Sequence, residues 1–174
     1  MGRCEKWTIS YRRRTGTKTL LDDTQAPFTP LPNSWRYWRA DPFLVEDKGK
    51  TWLFAELYDR LRLKGILACC ELTDTGVGKW NTILDEPFHL SYPFVFRHDD
   101  AWYMIPESSA REEVRLYKAT DFPTKWVPSA VLLRQKAVDT TAFQRDGALY
   151  LLTYLVTPGR EAVTPQAFRL NLDD

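Results

Sequence analysis

Short apolar runs separated by charged turns mark this chain as a succession of β-strands. Between Trp38 and Glu56 a polar or aromatic residue leads into an apolar run, a charged turn at Asp47–Lys50 follows, and a second apolar run completes the unit. Apolar runs of this length on either side of a Gly-containing turn predict a strand, a hairpin and a second strand.

This unit occurs three times along the chain. A shift of 51 positions superimposes the first copy on the second without a gap, and a further shift of 47 superimposes the second on the third. A period near fifty residues made of short strands, with no helical segment between them, is typical of β-propeller blades. The equivalent positions are Asp41, Tyr92 and Asp139 at the start of the unit and Glu56, Glu107 and Tyr154 near its end.

The first two repeats each predict four strands, which is the content of one propeller blade, and the third predicts three. We therefore predict an all-β fold, a single partial propeller domain over residues 1–174 with repeats at about 38–86, 87–136 and 137–174. The predicted strands are an N-terminal one at about 7–14, then 42–46, 51–57, 65–72 and 79–84, then 91–97, 101–106, 113–119 and 126–133, and finally 138–145, 148–156 and 165–171.

Three repeats fall short of a closed ring, since propellers have typically four to eight blades. We expect either that the sequence is truncated or that another chain completes the ring. Because unpaired strand edges recruit partners, we also expect self-association through the open edge of the third repeat.

Composition narrows the function classes. Apolar residues make up 44% of the 174 positions and aromatic residues 14%, and the net charge of +1 gives no bulk electrostatic reason to bind nucleic acid. No apolar run is long enough to span a membrane, and the N-terminus lacks the apolar segment of a signal peptide, so we expect a cytoplasmic chain. The neighbouring Cys69 and Cys70 should lie on opposite faces of one strand as reduced, packed thiols.

The candidate chemistry lies where the first strands of the blades begin. First strands line the central channel of a propeller, so Asp41, Tyr92 and Asp139 should converge there, with Glu107 close by. Paired carboxyl groups of this kind carry out glycoside hydrolysis, one activating water or attacking and the other protonating the leaving oxygen. The alternatives are structural: Asp41 and Asp139 as residues that start strands, and Glu107 as an exposed loop residue.

Four further side chains are candidates for binding a substrate at the same channel mouth. His89 can donate a hydrogen bond, Arg39 suits a ligand carboxylate or phosphate, and Trp38 and Tyr92 offer aromatic faces to a sugar ring. The alternative role is packing or local hydrogen bonding for His89, and solvent exposure or pairing with nearby acids for Arg39. The sequence has no phosphate-binding glycine loop, zinc spacing or nucleophile elbow, so we predict no metal and no cofactor.

Four motifs carry a resemblance to a known family over nearly the whole chain. They are W-R-A-D-P-F at Trp38–Phe43, H-L-S-Y-P-F-V-F at His89–Phe96, M-I-P-E at Met104–Glu107 and V-D-T-T-A-F at Val138–Phe143. The chain resembles the N-terminal propeller-like domain of glucosamine inositolphosphorylceramide transferases and its bacterial relatives. These are similar in turn to the five-bladed propellers of glycoside hydrolase families 43 and 32.

The resemblance implies a five-bladed type of propeller and roles for two carboxylates. Asp41 matches the general base or nucleophile of those hydrolases, and Asp139 matches the aspartate that supports their site. Their catalytic acid comes from a fourth blade and has no counterpart here. The sugar-transferring domain of the transferases is also a separate segment, so transferase activity is not expected of this chain.

Three functions remain open on the sequence. The first is a carbohydrate-recognising propeller module, accessory to a glycan-processing or glycosyltransferase system, with a carbohydrate or glycoconjugate ligand. The second is a glycoside hydrolase-like enzyme that uses Asp41 as base or nucleophile and takes its acid from Glu107 or from sequence beyond this chain. The third is a structural or partner-binding fragment.

Overall fold

The structure is a computed structural model that describes residues 7–12, 27–157, 159 and 163–172. Within these ranges the chain forms strands, turns and one short 3₁₀ helix at Ser109–Arg111, and no helix is long and apolar enough to cross a bilayer. The strands are β1 (Ser10–Tyr11), β2 (Thr29–Pro30), β3 (Tyr37–Asp47), β4 (Lys50–Asp59), β5 (Lys64–Thr73), β6 (Gly76–Val77), β7 (Asn81–Leu84), β8 (Ser91–His98), β9 (Ala101–Glu107), β10 (Val114–Asp121), β11 (Lys125–Leu133), β12 (Ala137–Arg145), β13 (Ala148–Val156) and β14 (Val163–Leu170).

Three antiparallel sheets correspond to the three repeats. The first has the order β3-β4-β5, with β6 and β7 each pairing with the far edge of β5. The second has the order β8-β9-β10-β11, and the third is β12-β13-β14. Strand β8 lies beside β3, and β12 lies beside β8 and β9, so the first strands of successive sheets are neighbours. The predicted propeller of about three blades is confirmed.

The hairpin between the first two strands of each blade is the same tight turn. Asp47 pairs with Lys50, His98 with Ala101, and Arg145 with Ala148, which leaves two residues in each loop. The first loop residues, Lys48, Asp99 and Asp146, have φ values of 49°, 51° and 49°. Two-residue hairpins with positive φ have a backbone twist that matches the flanking strands.

The first strands also share a β-bulge at the repeat-equivalent positions. Asp41, Tyr92 and Asp139 have φ values of 50°, 45° and 53°, and the strand register shifts at each of them. Positive φ is costly for residues other than glycine, and especially for a bulky one such as tyrosine. The same strained backbone at three positions supports the alignment of the repeats, and it marks the place where each first strand changes direction.

The space between the first two blades holds the main apolar core. It includes the fully buried side chains of Phe54, Leu67, Met104 and Tyr117, which come from both sheets. Cys69 packs in this core, whereas Cys70 packs on the opposite face of the first blade. Both cysteines are buried and free, as the sequence predicts, and burial raises the pKa of each thiol to about 12.

The N-terminal segment covers the outer face of the first blade. β1 pairs with β2, and Ile9 and Leu31 pack on Leu53, Ala55 and Cys70. The predicted strand at 7–14 is therefore a two-residue strand in the described part of the chain, and residues 13–14 lie outside it. This small sheet shields apolar side chains at the N-terminal end of the blade array.

Candidate functional site

Backbone amides at two of the bulges tie the three blades together at their centre. The N–H of Tyr92 donates to the Asp41 carboxylate at 3.0 Å, which links the first blade to the second. The N–H of Asp139 donates to the carboxylate of Glu107, which links the second blade to the third. Ser109 also donates its hydroxyl to Glu107, at 2.8 Å. The structure therefore brings Asp41, Tyr92, Glu107 and Asp139 together.

A fourth acid, Glu56, lies among them. Glu56 is only 7% exposed. It pairs across the sheet with Ala40, the residue immediately before the bulge at Asp41. Burial raises the pKa of Glu56 to about 8, and the negative charges of Asp41 and Glu107 add to the effect. At neutral pH this carboxyl group is therefore largely protonated and can donate a hydrogen bond as well as accept one.

Gly65 makes the room that Glu56 occupies. A Cβ atom at this position would lie 2.4 Å from Oε1 of Glu56 and 2.2 Å from the backbone oxygen of Leu90. Both distances are far inside van der Waals contact, so any side chain at position 65 must displace the carboxyl group or the backbone. The absence of a side chain is what allows β4, β5 and the entry to the second blade to approach so closely.

His89 completes the wall of the site beside Glu56. The N–H of Gly65 donates to Nδ1 of His89 at 2.9 Å, so the neutral ring carries its proton on Nε2, which lies 3.6 Å from Oε1 of Glu56. Burial lowers the pKa of His89, and the cation of Lys64 acts in the same direction, while the charge of Asp41 opposes them. His89 is therefore neutral at pH 7.

Glu107 and Asp139 of the cluster also have raised pKa values. Burial is the main reason that the pKa of Glu107 is raised; the charge of Asp139 adds to this, and the hydrogen bond from Ser109 opposes it. Burial and the charge of Asp41 raise the pKa of Asp139. Within the described residues, no group of three or more His, Cys, Asp or Glu side chains is arranged to hold a metal ion.

Two predicted aromatic residues flank the cluster in different ways. The Tyr92 ring meets Phe43 edge to face at 4.9 Å, and its hydroxyl lies 3.1 Å from that of Thr141 in the third blade. Trp38 stacks on Tyr58 at 5.5 Å, and Tyr58 lies 6.2 Å from the His89 ring. Trp38 is only 9% exposed, so it supports Tyr58 and offers little open surface to a ligand.

Arg39 lies on the opposite face of the first blade, and the structure does not bring it to the carboxylates. Its guanidinium donates to the backbone oxygen of Pro32 and lies 5.4 Å from the Trp80 ring, and its backbone N–H donates to Asn33. Burial lowers the pKa of Arg39. Neighbouring residues on a strand point to opposite faces, so Trp38 and Arg39 cannot both reach the same surface.

Sequence reasoning did not single out Glu56 and Gly65 as residues of the site. The repeat contained the signal for Glu56, because Glu56 and Glu107 occupy equivalent positions and Glu107 was already a candidate. Gly65 had no such signal, since its importance depends on Leu90 and Glu56, which are distant in sequence. A glycine inside a predicted strand is at most a hint of close backbone approach.

Three blades whose inner strands enclose a group of carboxyl groups define this chain as a β-propeller with an acidic centre. The chain belongs to the family described as glucosamine inositolphosphorylceramide transferase 1, N-terminal, which matches residues 32–162. Proteins named glucosamine inositolphosphorylceramide transferase 1 are 37% identical over 115 residues in Oryza sativa subsp. indica and 34% over 116 residues in Arabidopsis thaliana. These matches cover 64% and 65% of this chain but only 15% of each relative.

Solved structures of glycosidases share the fold. An endo-arabinase from Bacteroides thetaiotaomicron superimposes with a TM-score of 0.61 at 17% identity, covering 88% of this chain and 64% of that one. A Cellvibrio cellulosa α-L-arabinanase complexed with arabinohexaose gives a TM-score of 0.63 at 12% identity, covering 95% and 65%. These neighbours are five-bladed propellers, and the chain spans about two thirds of their length.

Proposed function

We propose that this chain is a carbohydrate-recognising propeller module whose acidic centre binds the hydroxyl groups of a glycan. The observation that carries the proposal is the cluster itself. Side chains from three blades are joined by the Tyr92 and Asp139 amides around Glu56, which is buried without a lysine or arginine partner among the ion pairs of the described residues. Such an arrangement has no evident structural benefit, because burying several acids together costs stability.

The cluster offers both kinds of hydrogen-bonding group that a sugar requires. Each sugar hydroxyl donates one hydrogen bond and accepts others, so a site for several hydroxyls needs acceptors and donors side by side. The carboxylate of Asp41 supplies acceptors. The protonated carboxyl of Glu56 and the Nε2 proton of His89 supply donors, and the ring of Tyr58 beside His89 supplies an apolar surface.

The comparisons support a glycan-related role. The matching relatives are named glucosamine inositolphosphorylceramide transferase 1, and one solved neighbour is complexed with arabinohexaose. Because the match covers 15% of those relatives, the module is proposed as accessory to a glycan-processing or glycosyltransferase system. The contribution proposed for the module is recognition.

Replacing Asp41 with asparagine should weaken glycan binding by about 1–3 kcal/mol and leave the fold intact, because the change keeps the shape and removes the charge that strengthens the hydrogen bonds. Isothermal titration with arabinohexaose and with glucosamine-containing oligosaccharides would measure this. Asp146→Asn is the matched control. Asp146 has φ of 49°, close to the 50° of Asp41, but lies in an exposed turn. Equal affinities for the wild type and Asp41→Asn would contradict the proposal.

One observation favours a second candidate function, a glycoside hydrolase-like activity. Glycoside hydrolysis needs one protonated and one charged carboxyl group near the scissile bond. Glu56, with a pKa raised to about 8, and Glu107 with its raised pKa are two candidates for the acid, and Asp41 is the candidate base or nucleophile. Glu56 thereby joins Glu107, the acid that the sequence suggested.

Turnover of aryl glycosides distinguishes the enzyme from the binding module. If the cluster is catalytic, the wild type should release the aryl group and Asp41→Asn should reduce the rate by about 10²-fold or more, while Asp146→Asn should not. If the cluster only binds, the wild type should release no aryl group above background. Turnover that persists unchanged in Asp41→Asn would exclude this residue as base or nucleophile.

A further inference from the structure

A pocket with two arginines in its wall lies where the connection from the first blade passes the second. Its volume is about 470 Å³. The connection from β7 to β8 forms one wall, and the second blade, near the start of β10, forms the other. Both walls therefore belong to the described part of the first two blades. We call this the arginine pocket, and it is lined by Glu86, Pro87, Phe88, Ala110, Arg111 and Arg115.

Both walls of the arginine pocket continue into the acidic centre. Phe88 is followed directly by His89, which forms the wall of that centre. Arg111 ends the 3₁₀ helix that begins at Ser109, and Ser109 donates its hydroxyl to Glu107 at 2.8 Å. Neighbouring Cα atoms are about 3.8 Å apart, and a 3₁₀ helix rises by about 2 Å per residue. The pocket therefore adjoins the acidic centre, close enough for one ligand to reach both.

One phenylalanine ring holds the two guanidinium groups of the pocket in place. The guanidinium carbon of Arg115 lies 5.3 Å from the centroid of the Phe88 ring, and that of Arg111 lies 5.7 Å from it. A cation within about 6 Å of an aromatic ring is attracted to the face of that ring. Two positive charges are thus positioned around one side chain before a ligand arrives, which lowers the entropic cost of binding an anion.

The acids beside the pocket leave one positive charge uncompensated. Glu113 binds Arg115 through one carboxylate oxygen, at 2.7 Å, and Arg134 through the other, at 3.0 Å. Glu86 is the acid in the lining itself. Among the ion pairs of the described residues, none includes Arg111, whose side chain is held by the aromatic ring alone. Three arginines therefore face two glutamates, and one further anion would balance them.

We propose that the arginine pocket binds a negatively charged group of the glycan held at the acidic centre, an assignment that rests on the function proposed above. The group is a carboxylate or a phosphate ester, because the planar guanidinium group donates two parallel hydrogen bonds to the oxygens of either. Arg115 already binds Glu113 through Nε and Nη2, so Arg111 is the principal donor to the ligand.

Opposite charges at the two ends of the combined site give the ligand a single orientation. The negative charge of Asp41 at the acidic centre repels an anionic group, whereas Arg111 attracts it. A ligand bound in the reverse direction sets like charges side by side, which costs affinity. The arginine pocket thus selects glycans that carry a negative charge and determines which end of them enters the acidic centre.

Chemical-shift titrations of the isotopically labelled full chain test this with sugars that differ only at C6. The pairs are glucose with glucose 6-phosphate, and galactose with galacturonic acid. The wild type should bind the charged member of each pair at least about 10-fold more tightly, the scale of one hydrogen bond to a charged group. Arg111→Gln should remove most of this preference and leave the affinity for the uncharged sugars unchanged. Added salt should also reduce the preference.

The matched control is Arg145→Gln, which removes the same charge from an exposed arginine at the hairpin of the third blade and should bind like the wild type. Charged and uncharged sugars that bind equally overturn the assignment and leave the proposed function standing. Sugars that all fail to bind contradict the proposed function, and this assignment with it. A preference that survives Arg111→Gln in full overturns the role of the pocket. Inorganic phosphate that binds as tightly as glucose 6-phosphate overturns the link to a glycan and assigns the pocket to the free anion.

Discussion

Gly65→Ala should destabilise the protein by about 3 kcal/mol, more than alanine at the other described glycines, because the added methyl group overpacks the backbone. The added Cβ would lie 2.2 Å from the oxygen of Leu90 and 2.4 Å from Oε1 of Glu56. The oxygen of Leu90 is a backbone atom. Its position is restrained, because the N–H of Leu90 donates a hydrogen bond to the backbone oxygen of Gly65 at 3.1 Å. Overpacking that the backbone must absorb is among the strongest effects of a single substitution.

Urea denaturation of Gly65→Ala and Gly147→Ala would separate this clash from the general cost of replacing a glycine. Gly147 has φ of 74° and nothing within 4 Å of its added Cβ, so alanine there should cost only about 1 kcal/mol. A Gly65→Ala protein as stable as Gly147→Ala would show that the site relaxes easily. In that case Gly65 would not be what holds Glu56 in place.

Gly65→Ala should also disturb the proposed glycan binding, since the carboxyl group of Glu56 must move to admit the methyl group. The effect should exceed that of Asp41→Asn, because both the position of Glu56 and the bond from the Gly65 amide to His89 depend on this backbone. Titration with arabinohexaose at a temperature where the variant remains folded would measure it.

The repeat allowed the fold to be predicted in some detail from the sequence. A gap-free shift of 51 positions determined which residues are equivalent, and the bulges at Asp41, Tyr92 and Asp139 occur at those equivalent positions. Strand limits from periodicity agree closely with the structure in the second blade, where predicted 91–97 is observed as Ser91–His98. The local signal is strong because each turn and each alternation repeats three times.

The chemistry of the site was less accessible to sequence reasoning. The raised pKa of Glu56 arises from burial between β4, β5 and the entry to the second blade, and a sequence does not show burial directly. Arg39 was predicted at the channel mouth because it is close to Asp41 along the chain. Arg39 lies two residues before the bulge at Asp41, and its position along the strand decides which face of the sheet its side chain occupies. A shift of one residue in the strand would place the side chain on the other face.

Glu56→Gln should remove a loss of stability that the wild type shows as the pH rises. The pKa of Glu56 is about 8 in the folded protein and near 4.5 in the unfolded chain. Between these values the folded state binds a proton that the unfolded state has released, so the free energy of unfolding decreases with increasing pH. The stabilising contribution of the protonated group is complete below about pH 4.5 and is lost as the pH approaches 8.

Between pH 5 and 8 the ionisation of Glu56 should lower the free energy of unfolding of the wild type by about 2–4 kcal/mol. This is a large fraction of a small domain's stability. Glutamine mimics the protonated acid, so the variant should keep its stability across the range and exceed the wild type at pH 8. Glu107 and Asp139, whose pKa values are also raised, contribute a slope of the same sign, while the lowered pKa of His89 contributes one of opposite sign. Comparing the variant with the wild type at each pH isolates Glu56.

Urea denaturation at pH 5, 6, 7 and 8 would provide the measurement, with Glu46→Gln as the matched control on the exposed part of the first blade. Glu46→Gln should follow the wild type at every pH. A constant difference between the wild type and Glu56→Gln from pH 5 to 8 would show that Glu56 is ionised throughout. Such a result would remove the proton donor from the proposed sugar site, and with it the acid that favours a hydrolase.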